Sequence, residues 1–221
     1  MTKGKSSPTP REAKRARTRA RLTEAALRLM AERGINGTSV SEIAAEAELA
    51  NGTFYLYFKD KSEIVAAVCQ AVTLAMHNDM SSVRLSLDDG AARVAFGTQQ
   101  FIEIAANEPN WGRLLMWAFS EFEAIKDDVS RYMRLDVALG AEQGCFTEPV
   151  DEFTIDALLA ILRAGVRSRL DGAGIAASAR AAEYHLRILG IEAAEAHRIR
   201  LATDKAVERA ATNGSRVGSK A

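Results

Sequence analysis

An amide, a hydroxyl and two phenols recur within one short stretch of the chain, at Asn51, Thr53, Tyr55 and Tyr57. Phe54 and Phe58 are four residues apart, about one helical turn, so both rings can point inward together. Packing alone does not explain a helix of about two turns that buries two phenyl rings and exposes hydrogen-bonding groups. Such groups recognise base edges in the major groove, so the pattern favours a helix that reads DNA.

The residues before this stretch predict a second short helix. Apolar residues recur at i, i+3, i+4 and i+7, at Val40, Ile43, Ala44 and Ala47. Ser39 followed three residues later by Glu42 is the pattern of a capping box, in which each residue satisfies a backbone N–H of the other. We therefore interpret residues 38–61 as a helix-turn-helix.

The segment resembles the DNA-binding domain of TetR-type transcriptional regulators over roughly residues 15 to 65. The residues that carry the resemblance are Gly34, Gly37-Thr38-Ser39-Val40, Ile43-Ala44, Ala47, Asn51-Gly52-Thr53-Phe54-Tyr55, Phe58 and Lys61. Two positions depart from the family pattern: Glu48 stands where the turn usually has glycine, and Ala50 stands where the recognition helix often begins with serine. Beyond residue 70 the resemblance implies only an all-helical ligand-binding and dimerisation domain.

This interpretation assigns DNA contacts to named side chains. The candidate DNA-binding residues are Ser39, Ser41, Asn51, Gly52, Thr53, Tyr55, Tyr57 and Lys61. Asn51 can pair with adenine and Thr53 can contact a base edge or a thymine methyl, while Gly52 permits close backbone approach. Lys61 occupies a position where the family carries a lysine, and we expect Lys61 and Tyr55 to hold phosphates.

Charge is distributed unevenly in a chain of 221 residues whose formal net charge is zero. Residues 1–61 hold twelve Lys/Arg against seven Asp/Glu, a net charge of +5, which leaves −5 for the remainder. Six of the basic residues lie in the early turns of the first predicted helix, at Arg11, Lys14, Arg15, Arg17, Arg19 and Arg21. A solvated basic helix face is the alternative, but beside a helix-turn-helix we interpret this charge as an attraction for DNA phosphates.

The remaining elements are all predicted to be helical, since no period-two strand pattern appears. We expect a disordered basic arm at 1–9, a three-helix DNA-binding domain at 10–59, a helical ligand-binding and dimerisation domain at 60–210 and a disordered tail at 211–221. Thr9, Pro10 and Glu12 predict the start of the first helix, and Gly34 its end. Later helices are expected to span 60–87, 90–107, 110–126, 129–143, about 147–170, 178–189 and 192–210.

An aromatic cluster in the second domain suggests a ligand site. Its members are Phe96, Phe101, Trp111, Trp117, Phe119 and Phe122. Such rings are commonly core residues, but tryptophans are hard to bury fully and often line cavities. We expect an apolar or aromatic small effector, and the candidate ligand-binding residues are Phe101, Trp111, Met116, Trp117, Phe119 and Tyr132.

No catalytic or metal site is predicted, and no cofactor is expected. His77, His185 and His197 are scattered, and no nucleophile elbow, phosphate-binding glycine loop or zinc motif occurs. Cys69 and Cys145 form no CxxC pair and no apolar run is long enough to span a membrane, so we expect a soluble, unexported cytoplasmic protein that does not act as an enzyme.

The function indicated is transcriptional regulation, as a ligand-responsive repressor that binds a pseudo-palindromic operator. A short recognition helix reads few base pairs, so we expect a homodimer with two reading heads, built from helices near 148–170 and 178–189. Leu162 is the position where a charge is expected to disrupt the dimer. Two alternatives remain: a helical enzyme or ligand-storage bundle with a vestigial DNA-binding domain, and an architectural protein that binds DNA without sequence preference.

Overall fold

A computed structural model describes residues 9–121 and 123–213. The helices are α1 Pro10–Arg33, α2 Val40–Glu46, α3 Asn51–Phe54, α4 Lys61–Leu85, α5 Gly90–Asn107, α6 Pro109–Glu121, α7 Glu123–Glu142, α8 Glu152–Leu170, α9 Ala176–Ile188 and α10 Ala193–Asn213. No strand occurs within these ranges, which confirms the predicted all-helical fold class. None of the described helices is both long enough and apolar enough to cross a membrane.

The chain divides into two compact units, the first ending at Val68 and the second beginning at Cys69, so the division falls inside α4. The first unit contains α1, α2, α3 and the start of α4. Its core is formed by apolar side chains of all four helices, among them Leu22, Ala26, Leu29, Met30, Ile43, Ala44, Phe54, Phe58, Ile64, Val65 and Val68.

The caps of the first unit are those predicted. Thr9 caps α1 and exchanges hydrogen bonds with Glu12, while Gly34 ends the helix at a positive φ of 73°. Ser39 and Glu42 form the predicted capping box of α2. These reciprocal bonds lower the pKa of the Glu12 and Glu42 carboxyl groups, because each carboxylate accepts a hydrogen bond from its cap residue.

α3 is shorter than the two turns expected. It ends at Phe54, and the chain continues in tight turns in which the N–H groups of Leu56 and Tyr57 bond to the carbonyls of Thr53 and Phe54. Asp60 then caps α4, accepting a bond of 2.9 Å from the N–H of Glu63. The tightened backbone still brings Phe58 to the same side as Phe54, because the N–H of Phe58 bonds to the carbonyl of Phe54.

The second unit is organised around α5, which packs against α6, α7, α8, α9 and α10. Most residues of α5 are buried, including polar ones. Three of these polar side chains have a partner on another helix: Thr98 bonds to His185, Gln99 to Thr203 and Glu103 to Arg169. Gln100 Oε1 has none. A helix covered on all sides needs such partners, because an unpaired buried polar group is costly.

The largest differences from the predicted helix boundaries lie between α6 and α7 and at the start of α8. α6 ends at Glu121 and α7 already begins at Glu123, whereas the sequence suggested a break near 127. α8 begins at Glu152 instead of near 147, because Asp151 caps it and Thr147 instead donates a hydrogen bond to the carbonyl of Gly190. Of the predicted disordered ends, residues 1–8 and 214–221 lie outside the described residues, whereas Thr9 caps α1 and 211–213 belong to α10.

Candidate nucleic-acid interface and ligand cavity

The turn between α2 and α3 contains a residue in the left-handed region, Glu48, with φ of 53°. The N–H groups of Glu48 and Leu49 bond back to the carbonyls of Ala45 and Ala44, which closes the end of α2. Arg21 supports the turn from α1: its guanidinium donates to the carbonyl of Ala47 at 2.6 Å and to the Glu48 carboxylate at 3.3 Å. Glu48 therefore adopts the left-handed backbone conformation that glycine usually adopts in such a turn.

Two phenylalanines fix the position of α3. Phe54 and Phe58 are fully buried, and their ring centroids are 5.6 Å apart. The guanidinium of Arg19 lies over the Phe58 ring, 4.6 Å from its centroid, and that of Arg15 lies 6.0 Å from the Tyr57 centroid. The orientation of α3 therefore depends on the burial of Phe54 and on contacts from α1 to the residues that follow the helix.

The opposite side of α3 is exposed, as predicted. Asn51, Gly52 and Tyr55 are exposed, whereas Thr53, Tyr57 and Lys61 are partly buried. A Cβ added at Gly52 would meet no atom of the chain within 4 Å, so the fold itself does not require glycine at this position. We refer to the exposed side of residues 51–57 as the reading face.

Leu56 is a residue of the reading face that the sequence analysis missed. It is 70% exposed, more than Tyr55 at 56%. An apolar side chain so exposed beside hydrogen-bonding groups can contact a thymine methyl. The sequence did contain a signal for this exposure: Leu56 lies between Tyr55 and Tyr57, and Phe54 and Phe58 occupy the inward side of the same segment.

The two serines at the start of α2 are exposed but already hydrogen-bonded. Ser39 Oγ donates to the Glu42 carboxylate at 2.6 Å, and the Ser39 and Ser41 hydroxyls are 3.0 Å apart. On α1, the arginines at 15, 19 and 21 support the helix-turn-helix, and the positions at 11, 14 and 17 are exposed. Some basic side chains of α1 therefore stabilise the helix-turn-helix, and others present positive charge to solvent.

The second unit contains a partly open cavity, and its empty space together with the open solvent at its mouth is about 600 Å³. It is lined by residues of α4, α5, α7 and α8, which are Thr73, Met76, His77, Met80, Arg84, Arg93, Val94, Gly97, Thr98, Phe101, Val129, Tyr132, Met133, Asp136 and Leu162. Methionines and other apolar side chains make up most of its wall. A cavity of this kind with a few polar groups suits a small organic ligand.

A buried ion pair forms one end of the cavity. Arg84 Nη1 donates to Asp136 Oδ1, and both side chains are less than a tenth exposed. Burial raises the pKa of the Asp136 carboxyl, although Arg84 and Arg93 act against this rise. Arg84 Nε has no hydrogen-bond partner. The other Asp136 oxygen, Oδ2, lies 3.9 Å from where a Cβ at Gly97 would be, so glycine leaves room beside it.

His77 and Tyr132 stack on one another in the cavity wall, with ring planes 11° apart. Burial and the positive charge of Arg84 lower the pKa of His77 to about 4, so its imidazole is neutral at physiological pH. Thr98 connects the wall to a fully buried histidine: its Oγ1 is 2.7 Å from His185 Nδ1, and His185 Nε2 is 2.8 Å from the carbonyl of Leu158.

The structure separates the six candidate ligand residues. Phe101 and Tyr132 line the cavity, whereas Trp111 lines a smaller one together with Val72, Met76, Ile104, Ala105, Glu108 and Leu115. Met116, Trp117 and Phe119 lie on α6 and line neither of these two cavities. Phe119 is a core residue with the guanidinium of Arg163 5.9 Å from its ring centroid. Phe122, the remaining member of the predicted aromatic cluster, lies outside the described residues.

Sequence reasoning missed the cavity residues of α4. They recur at i, i+3, i+4, i+7 and i+11, as Thr73, Met76, His77, Met80 and Arg84. This spacing marks one helix face, and its mixture of polar and methionine side chains was the available signal.

A family model and several solved structures are similar to this chain. A sequence model of the bacterial regulatory proteins of the tetR family matches residues 22–68. The crystal structure of RolR in complex with resorcinol is similar with a TM-score of 0.74 and 30% identity, over 85% of this chain and 95% of RolR. RolR without ligand matches with a TM-score of 0.70 and 28% identity, over 82% and 96% of the two chains.

A third similar structure has the same fold at lower identity. The regulator FadR from Bacillus subtilis, in complex with stearoyl-CoA, matches with a TM-score of 0.56 and 19% identity, over 78% of this chain and 99% of FadR. The helix-turn-helix of the first unit coincides with the family match, and the likeness to RolR extends over nearly all of that protein. The chain therefore belongs to the TetR family of transcriptional regulators.

Proposed function

We propose that the protein is a ligand-responsive repressor that binds a pseudo-palindromic operator as a homodimer in the cytoplasm and releases it when a small hydroxylated aromatic compound fills the cavity. The observation that carries the ligand response is the cavity itself, whose largely apolar wall includes the buried ion pair of Arg84 and Asp136. Charged side chains in an otherwise apolar cavity wall favour a ligand that can form hydrogen bonds with them.

The DNA-binding part of the proposal rests on the reading face. Asn51, Thr53 and Tyr55 offer hydrogen bonds to base edges or phosphates, and the open space around Gly52 allows close approach of a DNA backbone. Lys61 at the start of α4 supplies a phosphate contact. Asn51→Ala or Thr53→Ala should cost roughly 1–3 kcal/mol on the operator and little on random DNA.

Lys61→Ala should act differently from the reading-face variants. A phosphate contact carries no sequence information, so its loss weakens binding to all duplexes alike and reduces the magnitude of the salt slope by about one. A salt titration of DNA binding with operator and random duplexes measures both quantities. An unchanged affinity and an unchanged salt slope would remove Lys61 from the interface.

The effector is inferred from the chemistry at the ion pair. A phenolic hydroxyl can accept a hydrogen bond from the Arg84 guanidinium and donate one to the Asp136 carboxylate, and a ring suits the apolar walls around Met80 and Phe101. RolR, which shares 30% identity with this chain, has been crystallised with the phenol resorcinol. A neutral hydroxyl suits this end better than a carboxylate, because a carboxylate would be repelled by Asp136.

The dimer surface is inferred from α8 and α9. Leu158, Leu162 and Val166 are buried in their own subunit, and Leu162 also lines the cavity, so a charge at Leu162 would not test dimer formation. The outer side of α8 instead carries Phe153, which is 81% exposed, followed by small or apolar residues at 157, 160, 161 and 164. Two copies of α8 and α9 brought together by this side would form a four-helix interface around a two-fold axis.

Helix α4 provides the link between ligand and DNA in this proposal. It carries Lys61 in its first turn and five cavity residues between positions 73 and 84. A ligand that binds one arrangement of α4 better than another changes the spacing of the two reading heads, and the operator then binds less tightly.

Isothermal titration with resorcinol, paired with operator binding in its presence, tests the proposal. The double variant Arg84→Met/Asp136→Leu removes the polar end without leaving an unpaired buried charge. It should bind operator normally and lose the response to resorcinol, whereas Arg113→Met, the same change at an exposed site on α6, should respond as wild type. The proposed effector class would be contradicted if the wild-type protein does not bind resorcinol and stays on its operator when resorcinol is present at a saturating concentration.

A further inference from the structure

The smaller cavity of the second unit adjoins the larger one. We refer to the smaller one as the side cavity and to the one that contains the Arg84–Asp136 pair as the main cavity. Apart from Glu108, the residues that line the side cavity are apolar or aromatic, and they are Val72, Met76, Ile104, Ala105, Trp111 and Leu115. Its empty space, counted with the open solvent at its mouth, is about 290 Å³, less than half the value for the main cavity. It therefore suits an apolar substituent of a ligand.

Met76 is the residue that lines both cavities within the described part of the chain. Helix geometry explains this position, because successive residues of an α-helix are about 100° apart around its axis. Met76 is therefore about 40° from Val72, which lines the side cavity, and about 40° on the other side from Met80, which lines the main cavity. Met76 lies at the border between the two faces of α4.

The wall that α5 contributes continues past this border. Its residues at the main cavity include Val94, Gly97, Thr98 and Phe101, and its residues at the side cavity are Ile104 and Ala105. These positions recur at i, i+3, i+4, i+7, i+10 and i+11, which is the spacing of a single helix face. Because α5 turns one face to both cavities, the residue that separates them is supplied by α4.

The side chain of Met76 suits this position. Met76 is buried, with 3% of its surface exposed, and an unbranched methionine fills irregular gaps between apolar side chains. Replacing it with alanine removes Cγ, Sδ and Cε from the border between the cavities. The space that these atoms vacate then connects the main cavity with the side cavity.

We propose that Met76 is a specificity-determining residue that limits the size of the effector, because it separates the side cavity from the main cavity. The wild-type protein then accepts a compact ring, and a ligand with an apolar chain gains nothing from the side cavity. The proposal rests on the proposed function, since it specifies which phenols the main cavity accepts.

Isothermal titration with resorcinol and its 4-alkyl derivatives, from ethyl to pentyl, tests this proposal. The affinity of the wild-type protein should change little with chain length, because the chain meets Met76. The affinity of Met76→Ala should rise by roughly 4-fold for each methylene that becomes buried, and the rise should continue to pentyl.

Met133→Ala is the matched control, because Met133 lines the main cavity but not the side cavity. It vacates the same side-chain atoms, so its affinity should rise to about propyl and then level off. The pentyl compound should therefore bind Met76→Ala roughly 10-fold more tightly than the propyl compound, and Met133→Ala about equally tightly with either.

A second substitution locates the chain in the side cavity. Ala105→Leu, made in the Met76→Ala background, enlarges a side chain that lines the side cavity but not the main cavity. It should abolish the gain from propyl to pentyl and leave the binding of resorcinol unchanged. Thermal unfolding of each variant verifies that it is folded.

The outcomes separate the role of Met76 from the proposed effector class. If resorcinol binds wild-type protein but Met76→Ala and Met133→Ala respond alike to chain length, the proposal for Met76 fails and the effector class stands. A wild-type protein that gains as much per methylene as Met76→Ala also overturns it. If resorcinol does not bind wild-type protein, but Met76→Ala alone gains affinity from propyl to pentyl, the effector class fails and the role of Met76 stands. If no compound binds any of these proteins, both are wrong.

Discussion

Replacing Gly52 with alanine should separate the requirements of the fold from those of DNA binding. The added methyl group meets no atom of the chain within 4 Å, and Gly52 lies in the first turn of α3 with no positive φ. Alanine loses less conformational entropy on folding than glycine, so we expect the free energy of unfolding to rise by about 0.5–1 kcal/mol. If a DNA backbone approaches this glycine closely, the same methyl group should weaken operator binding by roughly 1–3 kcal/mol, or about 5- to 150-fold.

The assay combines urea unfolding with fluorescence anisotropy on an operator duplex. Gly174→Ala is the matched control, because a Cβ there also meets nothing within 4 Å but the residue lies in the loop before α9 of the second unit. It should raise or leave unchanged the free energy of unfolding and should not alter operator affinity. The reasoning is refuted if Gly52→Ala binds operator as tightly as wild type, or if it destabilises the protein.

Three further variants test other parts of the account. Glu48→Gly should be more stable than Glu48→Ala by about 1 kcal/mol in urea unfolding, because φ of 53° strains any residue with a Cβ; equal stabilities would contradict this. Burial lowers the pKa of His185 to about 4, so this imidazole takes up a proton more readily in the unfolded state than in the folded state. The free energy of unfolding should therefore fall as the pH drops from about 6.5 to about 4, by up to roughly 3 kcal/mol from this residue. In His185→Gln the free energy of unfolding should depend less steeply on pH over this range. Phe153→Glu should dissociate the dimer in sedimentation without changing the circular dichroism spectrum, because Phe153 is 81% exposed in the subunit; a variant that stays dimeric would exclude this surface.

The sequence was sufficient for features that depend on local chemistry. Thr9 with Glu12 and Ser39 with Glu42 each specify a helix start through bonds within four residues, and the structure contains both. Phe54 and Phe58 are both buried, as their spacing of four residues predicted. Domain boundaries and the individual DNA contacts remain predictions.

Features that depend on tertiary contacts were not predictable in the same way. The start of α8 depends on Thr147, whose hydroxyl bonds to Gly190, 43 residues away in sequence. Of the six residues expected to bind the ligand, Phe101 and Tyr132 line the cavity. The expected residues of α6 do not, and much of the wall comes from α4, where Arg84 pairs with Asp136 from α7. An arginine and an aspartate 52 residues apart give no sequence signal of pairing, and each would ordinarily be assigned to the surface.

The most direct test of the central claim is a nuclease protection experiment on the DNA upstream of the protein's own gene, with and without saturating resorcinol. For wild-type protein we predict a protected pseudo-palindromic site that disappears when resorcinol is added. For Arg84→Met/Asp136→Leu we predict the same protection with no response to resorcinol. Protection that resorcinol leaves unchanged in wild type, or removes equally in the double variant, would contradict a repressor controlled through this cavity.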